Sequence, residues 1–306
     1  MTTNFTLRAP RITRCHRDLL LAAGIMTCLL VALGGIVCAT ESGAGCPDWP
    51  GCYGRIVPPP QVHSIIEYTH RLAAALTTPL ILASAAVTWW RARRLRWVSW
   101  PLALVLPFLL AVIALGALTV LTGLPRGWAA VDLGLALIVL ALVVTAATVA
   151  WARGDALNRP DRLSARSATA RLSLAALAAV FAVHVSGVLV AGAGSLTRCL
   201  GWPLWRVLPD DLSTGGQVAR LIMSAVAGAL IVALVVRARR SAGNRSLRRA
   251  ATVLAAAFLF ELLLIAALLI VGTSPYLLVI YVATATLLWA ALVVVTVLAC
   301  VGAASK

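Results

Sequence analysis

The sequence has little charge, and most of that charge has one sign. Only 12% of its 306 residues are charged, with 10 acidic against 26 basic side chains, whereas an ordinary soluble domain has about 25% charged residues. Hydrophobic residues make up 61% of the chain, and the mean hydropathy is +0.97. This composition excludes an ordinary soluble domain and indicates an integral membrane protein with several spans of about 20 residues each.

The net charge of +16 does not indicate a nucleic-acid partner. The arginines stand in short clusters between apolar runs, which is the pattern that orients membrane proteins. A nucleic-acid-binding domain would instead carry them on a soluble face with polar or aromatic neighbours. We therefore expect membrane lipid, and no nucleic acid, around this chain.

Eight apolar runs are long enough to cross a bilayer. They are, by residue number, 19–39, 65–90, 97–121, 128–152, 172–196, 218–236, 252–271 and 276–301. Arginine is abundant before the first run and in alternate gaps, which predicts a bacterial-type plasma membrane protein with both termini cytoplasmic. Residues 1–17 are then a cytoplasmic leader with His16 at its surface. We do not expect a cleaved signal peptide here, because the first run exceeds the roughly 7–15 apolar residues of a signal-peptide core.

The two halves of the chain resemble each other. Residues 34–52 parallel residues 186–205, and a similar offset places Arg71 opposite Arg220. The predicted fold is an all-α membrane protein whose eight transmembrane helices form two tandem four-helix bundles related by an internal repeat. The predicted units are the basic leader at 1–17, an N-terminal half at 18–152, a cytoplasmic linker at 153–171 and a C-terminal half at 172–306.

Ionisable residues form a stripe on the second apolar helix. His63, Glu67 and His70 follow an i, i+4, i+7 spacing and therefore share one helical face. Arg71 follows Glu67 by four residues, which is the favourable order for an ion pair. Ionisable side chains inside a membrane are costly and mark functional sites, so this stripe is the leading candidate site.

The cysteines divide into an outer group and a helix group. Cys46 and Cys52 enclose a short loop with two prolines on the predicted outer side, which favours a disulfide over two free or metal-binding thiols. In the second half the position matching Cys52 is Trp205, so Cys199 is predicted to be a free thiol. The remaining cysteines are predicted to be small apolar fillers in or beside helices: Cys15, Cys28, Cys38 and Cys300.

The chain resembles the haem A synthase family in four motifs. They are CPDWPGC after the first helix, EYTHRL on the second, GALTVLTGLP at the end of the third and GAGSLTRCLGWPL after the fifth. The resemblance implies oxidation of the C8 methyl group of haem O to the formyl group of haem A for cytochrome oxidase assembly. It also implies haem O as substrate, a haem b in the C-terminal half, and haem O synthase and cytochrome oxidase assembly proteins as partners.

Carried over to this chain, the family pattern assigns few residues. Glu67 matches the catalytic glutamate, His70 matches the first ligand of a haem iron, and the outer disulfide matches Cys46 and Cys52. The family's other three ligand positions fall at or near Asp132, Ala219 and Val282. Since Ala and Val cannot ligate iron, the C-terminal half is predicted to hold an eroded haem site.

Five further side chains have alternative roles. His63, Arg71 and Arg220 are candidate contacts of a haem propionate, whereas His63 could instead be interfacial and Arg220 could bind a lipid head group. His184 is either a haem contact or a core histidine bonded to a carbonyl. Asp132 is either a haem contact or a carboxylate favoured by the dipole at a helix start.

Three functions compete on these residues. The first is a haem A synthase-like oxidoreductase in which Glu67 handles a proton or positions water at the methyl carbon, and His70 holds the iron from one side. The second is a haem-binding assembly factor without catalysis, which suits an eroded second half. The third is a membrane scaffold or transporter without haem, in which the Glu67–Arg71 pair and Asp132 line a cavity. Glu261, a buried acid on the seventh helix, has no counterpart in the family pattern.

Overall fold

A computed structural model of the chain describes residues 12–123, 126–153, 163–190, 199–202, 214–241, 244–272 and 274–304. Its long helices are α1 (Arg14–Ala39), α2 (Val62–Ala92), α3 (Arg96–Thr122), α4 (Arg126–Arg153), α5 (Ala168–Val190), α6 (Thr214–Arg239), α7 (Arg245–Val271) and α8 (Pro275–Ala304). All eight are long and apolar enough to cross a bilayer. The described ranges contain no strand, only one isolated bridge between Cys52 and Arg55. The predicted all-α fold with eight transmembrane helices is confirmed.

The helices pack as two rings of four. In the first ring, α1 contacts α2 and α4, and α3 contacts α2 and α4, so α2 and α4 occupy opposite corners. In the second ring, α5 and α7 each contact α6 and α8, which places α6 and α8 at opposite corners. The rings meet where α8 contacts α1 and α4, and where α4 contacts α5. The repeat itself and the unit boundaries remain predictions.

Helix ends follow local capping rules. Thr13 caps α1, because its side chain accepts a hydrogen bond from the main-chain N–H of His16 over 3.2 Å. Asn244 caps α7 in the same way through the N–H of Leu247, over 3.0 Å. Gly123 ends α3 with φ of 63°, a left-handed conformation that glycine adopts without strain.

The buried position of His16 corrects one expectation. His16 lies in the first turn of α1, is 2% exposed, and its Nε2 is 2.8 Å from Oγ1 of Thr88 on α2. The prediction of a surface residue in a leader was wrong, because the cap at Thr13 starts the helix ahead of its first apolar residue. A polar contact therefore joins α1 to α2 at the end of the bundle where the arginines gather, the arginine-rich end.

Close approach of α1 and α8 depends on a glycine. A Cβ atom built at Gly35 would lie 2.3 Å from Cγ1 of Val282 and 3.0 Å from Cδ1 of Leu200. No real Cβ contact is that short, so α8 can take this position only because residue 35 has no side chain. The two rings therefore pack tightly at the opposite end of the bundle, the disulfide end, which carries both disulfides.

Candidate functional site

A buried ion pair on α2 organises the disulfide end. Glu67 is 3% exposed and its Oε1 pairs with Nη2 of Arg71, so the predicted ion pair is confirmed. Oε2 of Glu67 accepts a hydrogen bond from the main-chain N–H of Cys46 over 2.8 Å. Both carboxylate oxygens are thus engaged, one by the helix and one by the loop that precedes it.

Arg71 binds the same loop with its remaining donors. Its Nη1 donates to the carbonyl oxygens of Asp48, over 2.6 Å, and Gly51, over 2.5 Å. Its Nη2 also donates to the carbonyl oxygen of Cys46 over 3.0 Å. A planar guanidinium can serve several fixed acceptors at once, and here three of them are main-chain carbonyls of one loop. Arg71 is therefore a loop-binding residue in this structure.

The loop itself is closed by a disulfide. Cys46 and Cys52 are bonded, with Cα atoms 4.7 Å apart, which confirms the predicted pair. The carboxylate of Asp48 accepts hydrogen bonds from the main-chain N–H groups of Tyr53, over 2.5 Å, and Gly54, over 2.7 Å. These bonds, first of all that from Gly54, hold the pKa of Asp48 below its ordinary value.

His63 also contacts this loop. Its ring is exposed in the first turn of α2, and Nδ1 lies 3.0 Å from Oγ of Ser42. Ser42 belongs to a short 3₁₀ turn, Ser42–Ala44, that follows α1. His63 therefore lies at the start of α2 beside this loop, and its interfacial position and its contact with haem both remain predictions.

His70 lies deeper on α2, against α1. A Cβ atom at Gly34 would be 3.1 Å from Cε1 of His70, so the ring occupies the space that a side chain at residue 34 would take. The ring interacts with the main chain of Leu30, and its Nδ1 is buried without a hydrogen-bond partner in the described part of the chain. A buried imidazole nitrogen without a partner is available to bind a water molecule, a ligand or a metal ion.

Asp132 lies on α4, at the corner opposite α2. Its Oδ1 is likewise buried without a hydrogen-bond partner among the described residues. With a rise of about 1.5 Å per residue, His70 and Asp132 lie about 12 and 9 Å inside the ends of their helices. The first ring therefore presents two unsatisfied polar side chains at similar depth from opposite corners.

The second disulfide corrects the prediction for Cys199. Cys38, at the end of α1, is bonded to Cys199, with Cα atoms 5.7 Å apart and 161 residues between them in sequence. Cys199 is therefore no free thiol and Cys38 no apolar filler; Cys15 is exposed and likewise not a filler. The prediction failed because it sought a partner within the local loop, whereas the tight contact of α1 with residues 199–202 brings the distant cysteine close.

Residues 199–202 cover the second ring at the disulfide end. The hydroxyl of Tyr281 on α8 accepts from the N–H of Trp202, over 2.6 Å, and donates to the carbonyl oxygen of the same residue, over 3.1 Å. The indole of Trp202 packs 5.8 Å from the ring of Phe258 on α7. Trp205, used above to align the halves, lies outside the described residues. The 199–202 segment is thus held by one covalent and two hydrogen bonds.

Below this segment, the second ring encloses polar side chains, several of whose atoms have no hydrogen-bond partner among the described residues. The atoms without a hydrogen-bond partner in the described ranges are both ring nitrogens of His184, Nε and Nη1 of Arg220, Oγ of Ser224, both carboxylate oxygens of Glu261 and Nε1 of Trp202. Arg220 makes one hydrogen bond, from Nη2 to the carbonyl oxygen of Val183 over 3.3 Å. Arg220 is within electrostatic range of His184 and Tyr281, and Tyr281 is in range of Glu261. Each helix of the second ring contributes to this polar cluster.

Comparisons with known proteins show the family of this chain. The sequence model of the cytochrome oxidase assembly protein family, COX15-CtaA, matches residues 17–65 and 61–293. The chain belongs to this family. A haem A synthase from Halalkalibacterium halodurans is 29% identical over 210 residues, covering 68% of this chain and 70% of that protein. A haem A synthase from Symbiobacterium thermophilum is 32% identical over 251 residues, covering 76% of this chain and 78% of that protein. One from Bacillus licheniformis is 27% identical over 223 residues, covering 71% of this chain and 74% of that protein.

Membership in the cytochrome oxidase assembly protein family makes this chain an integral membrane protein with a role in haem chemistry. The two rings differ in their fit to haem. In the first ring, His70 offers an unpartnered imidazole nitrogen in a space left by Gly34. In the second ring, Ala219 is exposed and Val282 packs against α1, so neither matched position faces the ring interior with an iron-binding group. In the first ring His70 could therefore offer a nitrogen to a haem iron, whereas in the second ring Ala219 and Val282 offer no such group.

Several functional residues had escaped the sequence analysis. Gly34 and Gly35, which shape the contacts of α1 with His70 and Val282, are adjacent glycines in an apolar helix, a signal of close packing. Cys38 lies near the predicted outer end of the first helix, and Cys199 follows the predicted outer end of the fifth. Their common position on the outer side was the available signal for a disulfide. Nothing in the sequence indicated the hydrogen bonds between Trp202 and Tyr281.

Proposed function

We propose that this protein has haem A synthase-like activity and oxidises the C8 methyl group of haem O to the formyl group of haem A. Family membership and the haem A synthases among its relatives support the proposal. The observation that carries it is the buried, unpartnered Nδ1 of His70 in the first ring. A metal-binding histidine usually fixes one ring nitrogen on a backbone carbonyl and uses the other as ligand, which suits a ring that interacts with the main chain of Leu30 and has an unpartnered Nδ1.

His70 would hold the iron of the substrate from α2, and Asp132 would face it from α4. The haem iron supplies the oxygen chemistry when substrate is bound, since ligation by one strong ligand leaves a position open. Asp132 is a weak iron ligand, so its proposed role is to accept a hydrogen bond on the open side. His63, at the start of α2, is a proposed contact for a propionate of this haem.

Glu67 has a positioning role in the proposed reaction. Its two oxygens bind Arg71 and the main-chain N–H of Cys46, so the carboxylate holds the disulfide loop over the site. A role in moving a proton requires Glu67 to exchange one of these partners during the reaction. Turnover and stability, compared between Glu67→Gln and Arg71→Gln, distinguish a catalytic role of Glu67 from its positioning role.

A second candidate function is a haem-binding assembly factor without catalysis. The exposed Ala219 and the packed Val282 favour it, because a chain without ligands at those positions lacks one route for electrons to the first ring. The described contacts of Glu67 and Arg71 do not favour a transporter or scaffold without haem, since both side chains bind the loop. The partners proposed for either haem function are haem O synthase and cytochrome oxidase assembly proteins.

Co-expression with a haem O synthase, in a bacterial host that makes no haem A, tests the proposal. We expect a Soret band in the purified protein, at most one haem per chain by pyridine haemochrome, and haem A in the extracted lipids. His70→Ala should abolish both, whereas the control His184→Ala should retain them. A Soret band without haem A would favour the assembly factor, and a colourless protein under excess haem would refute both haem functions.

Reporter fusions at each end would test the proposed cytoplasmic location of both termini.

A further inference from the structure

A groove opens between α2 and α3 next to the arginine-rich end. Its volume is about 410 Å³ and its walls are almost entirely apolar. Its walls include Leu82, Ala85, Ala86 and Trp89 from α2, and Ala103 and Leu106 from α3. Pro101 and Pro107 lie inside α3, where proline removes main-chain hydrogen bonds and bends a helix. From Leu82 to Trp90 the groove runs about 12 Å along α2, close to the roughly 15 Å of one hydrocarbon leaflet.

The rim of this groove is strongly basic. Four exposed arginines lie where α2 ends and α3 begins: Arg91, Arg93, Arg94 and Arg96. The rim and the groove are joined directly, since Oγ of Ser99, which lines the groove, donates to the carbonyl oxygen of Arg93 over 3.1 Å. No Asp or Glu lies between residues 68 and 131 to neutralise these charges within the two helices.

Tryptophans mark the level of the membrane interface at the same place. Trp89, Trp90 and Trp100 are 60%, 79% and 62% exposed, and Trp97 is 39% exposed. Amphipathic indole rings gather where hydrocarbon meets the polar head groups. The groove, which extends from the level of Trp89 and Trp90 to Leu82, is therefore at the depth of acyl chains, and the arginines at its rim are at the depth of phosphates.

We propose that this groove is a binding site for an anionic phospholipid. One acyl chain would lie between α2 and α3, and the phosphodiester would be held by the arginines at the rim. Charge complementarity favours an anionic lipid over a zwitterionic one, because basic clusters between membrane helices attract anionic head groups. An isoprenoid tail or a sterol would fill the apolar groove but would leave the arginines without a counter-charge.

Native mass spectrometry of the intact chain in neutral detergent tests this site. Phosphatidylglycerol, phosphatidylcholine and inorganic phosphate are titrated separately against the wild type. We expect phosphatidylglycerol to bind tightly, and Arg93→Gln/Arg94→Gln to weaken it about 30-fold, from roughly fivefold for each arginine near the surface. Ala103→Phe, a substitution at an exposed position, should fill the groove and abolish the tight binding while the arginines remain.

Matched variants separate this site from general attraction to lipid. Arg248→Gln/Arg249→Gln removes two exposed arginines from the start of α7, and Ala256→Phe adds a ring at an exposed position on α7. Both should bind phosphatidylglycerol as the wild type does. The proposal would be overturned if both double arginine variants lost the same affinity for phosphatidylglycerol. It would also be overturned if the wild type bound phosphatidylcholine or inorganic phosphate as tightly as phosphatidylglycerol. Circular dichroism of every variant establishes that the helices are intact.

Discussion

The main-chain N–H of Cys46 donates a hydrogen bond to Oε2 of Glu67 over 2.8 Å. A carboxylate buried inside the membrane-spanning bundle is thereby tied to the cysteine that closes the neighbouring loop. Arg71, four residues further along α2, completes the connection through the opposite oxygen and three loop carbonyls. The position of the loop over the site therefore depends on one acid and one base of a single helix.

Substitution of this pair should reduce stability and activity to different extents. In Glu67→Gln, the amide nitrogen must face either the Cys46 N–H or Arg71, both of which are donors. We expect this variant and Arg71→Gln each to lose about 3 kcal/mol, because each leaves a buried polar partner unpaired. A double-mutant cycle, measured by reversible unfolding in detergent, should give a coupling energy of more than about 1 kcal/mol. Independent effects would show that the two residues do not act as a unit.

The same variants distinguish the two roles of Glu67. If Glu67 acts by holding the loop, Arg71→Gln should lower haem A formation per folded molecule as much as Glu67→Gln does. If Glu67 also moves a proton, Glu67→Gln alone should abolish haem A while Arg71→Gln retains part of it. Haem A per Soret-active protein, measured by chromatography of extracted haem, is the measurement.

Gly34→Ala should displace the His70 ring and lower haem content. The added Cβ would lie 3.1 Å from Cε1 of His70, so the ring must shift by a few tenths of an ångström. We expect a severalfold loss of the Soret band per chain with unchanged helical content. The control is Gly24→Ala on the same helix, where a Cβ meets nothing within 4 Å. Equal haem content in both variants would contradict the assignment of His70 as the ligand.

The bond between Cys38 and Cys199 should be visible in the unreduced protein. We expect mass spectrometry of non-reduced peptides to show these cysteines joined, and Cys38→Ser/Cys199→Ser to lower the thermal midpoint. Closing a loop of 161 residues stabilises by about 5 kcal/mol in the chain-entropy treatment. Cys28→Ser, at a half-buried free cysteine, is the control. Alkylation of Cys199 without a reducing agent would refute the pairing.

The lowered pKa of Asp48 predicts that the stability of the loop depends on pH. Hydrogen bonds from Gly54 and Tyr53 lower the pKa of Asp48 in the folded loop. A lowered folded pKa gives stability that is present above the unfolded value, near 3.9 for aspartate, and is lost as the pH falls through the folded value. The thermal midpoint of wild type should exceed that of Asp48→Asn at pH 7, and the difference should shrink towards pH 3. Glu41→Gln, in the same loop, controls for general charge effects. A constant difference across this pH range would contradict the prediction.

The spans and the local contacts followed from the sequence for physical reasons. A bilayer demands long apolar helices, and the sparse charge left only eight segments that satisfy it. Glu67 with Arg71, and Cys46 with Cys52, are close in sequence, so helix periodicity and loop length were enough to pair them. Each of these predictions used spacing within one element.

The contacts that depend on packing between helices were not predicted. The bond from Cys38 to Cys199 and the hydrogen bonds of Tyr281 with Trp202 join elements whose relative position no local pattern encodes. His16 was misplaced because its contact with Thr88 depends on the neighbouring helix, not on the composition around it. The polar cluster of the second ring needed the same knowledge, since its members come from separate helices.

The adjacent glycines Gly34 and Gly35 leave α1 without side chains at this level, so neighbouring side chains contact its backbone closely. On one side the His70 ring rests against it, and on the other side Val282 does. The C-terminal half therefore packs against the segment of α1 that His70 contacts, and its own residues at the matched positions, Ala219 and Val282, cannot ligate iron. A chain without its second half would leave this segment of α1 exposed, so packing alone gives the second half a structural role.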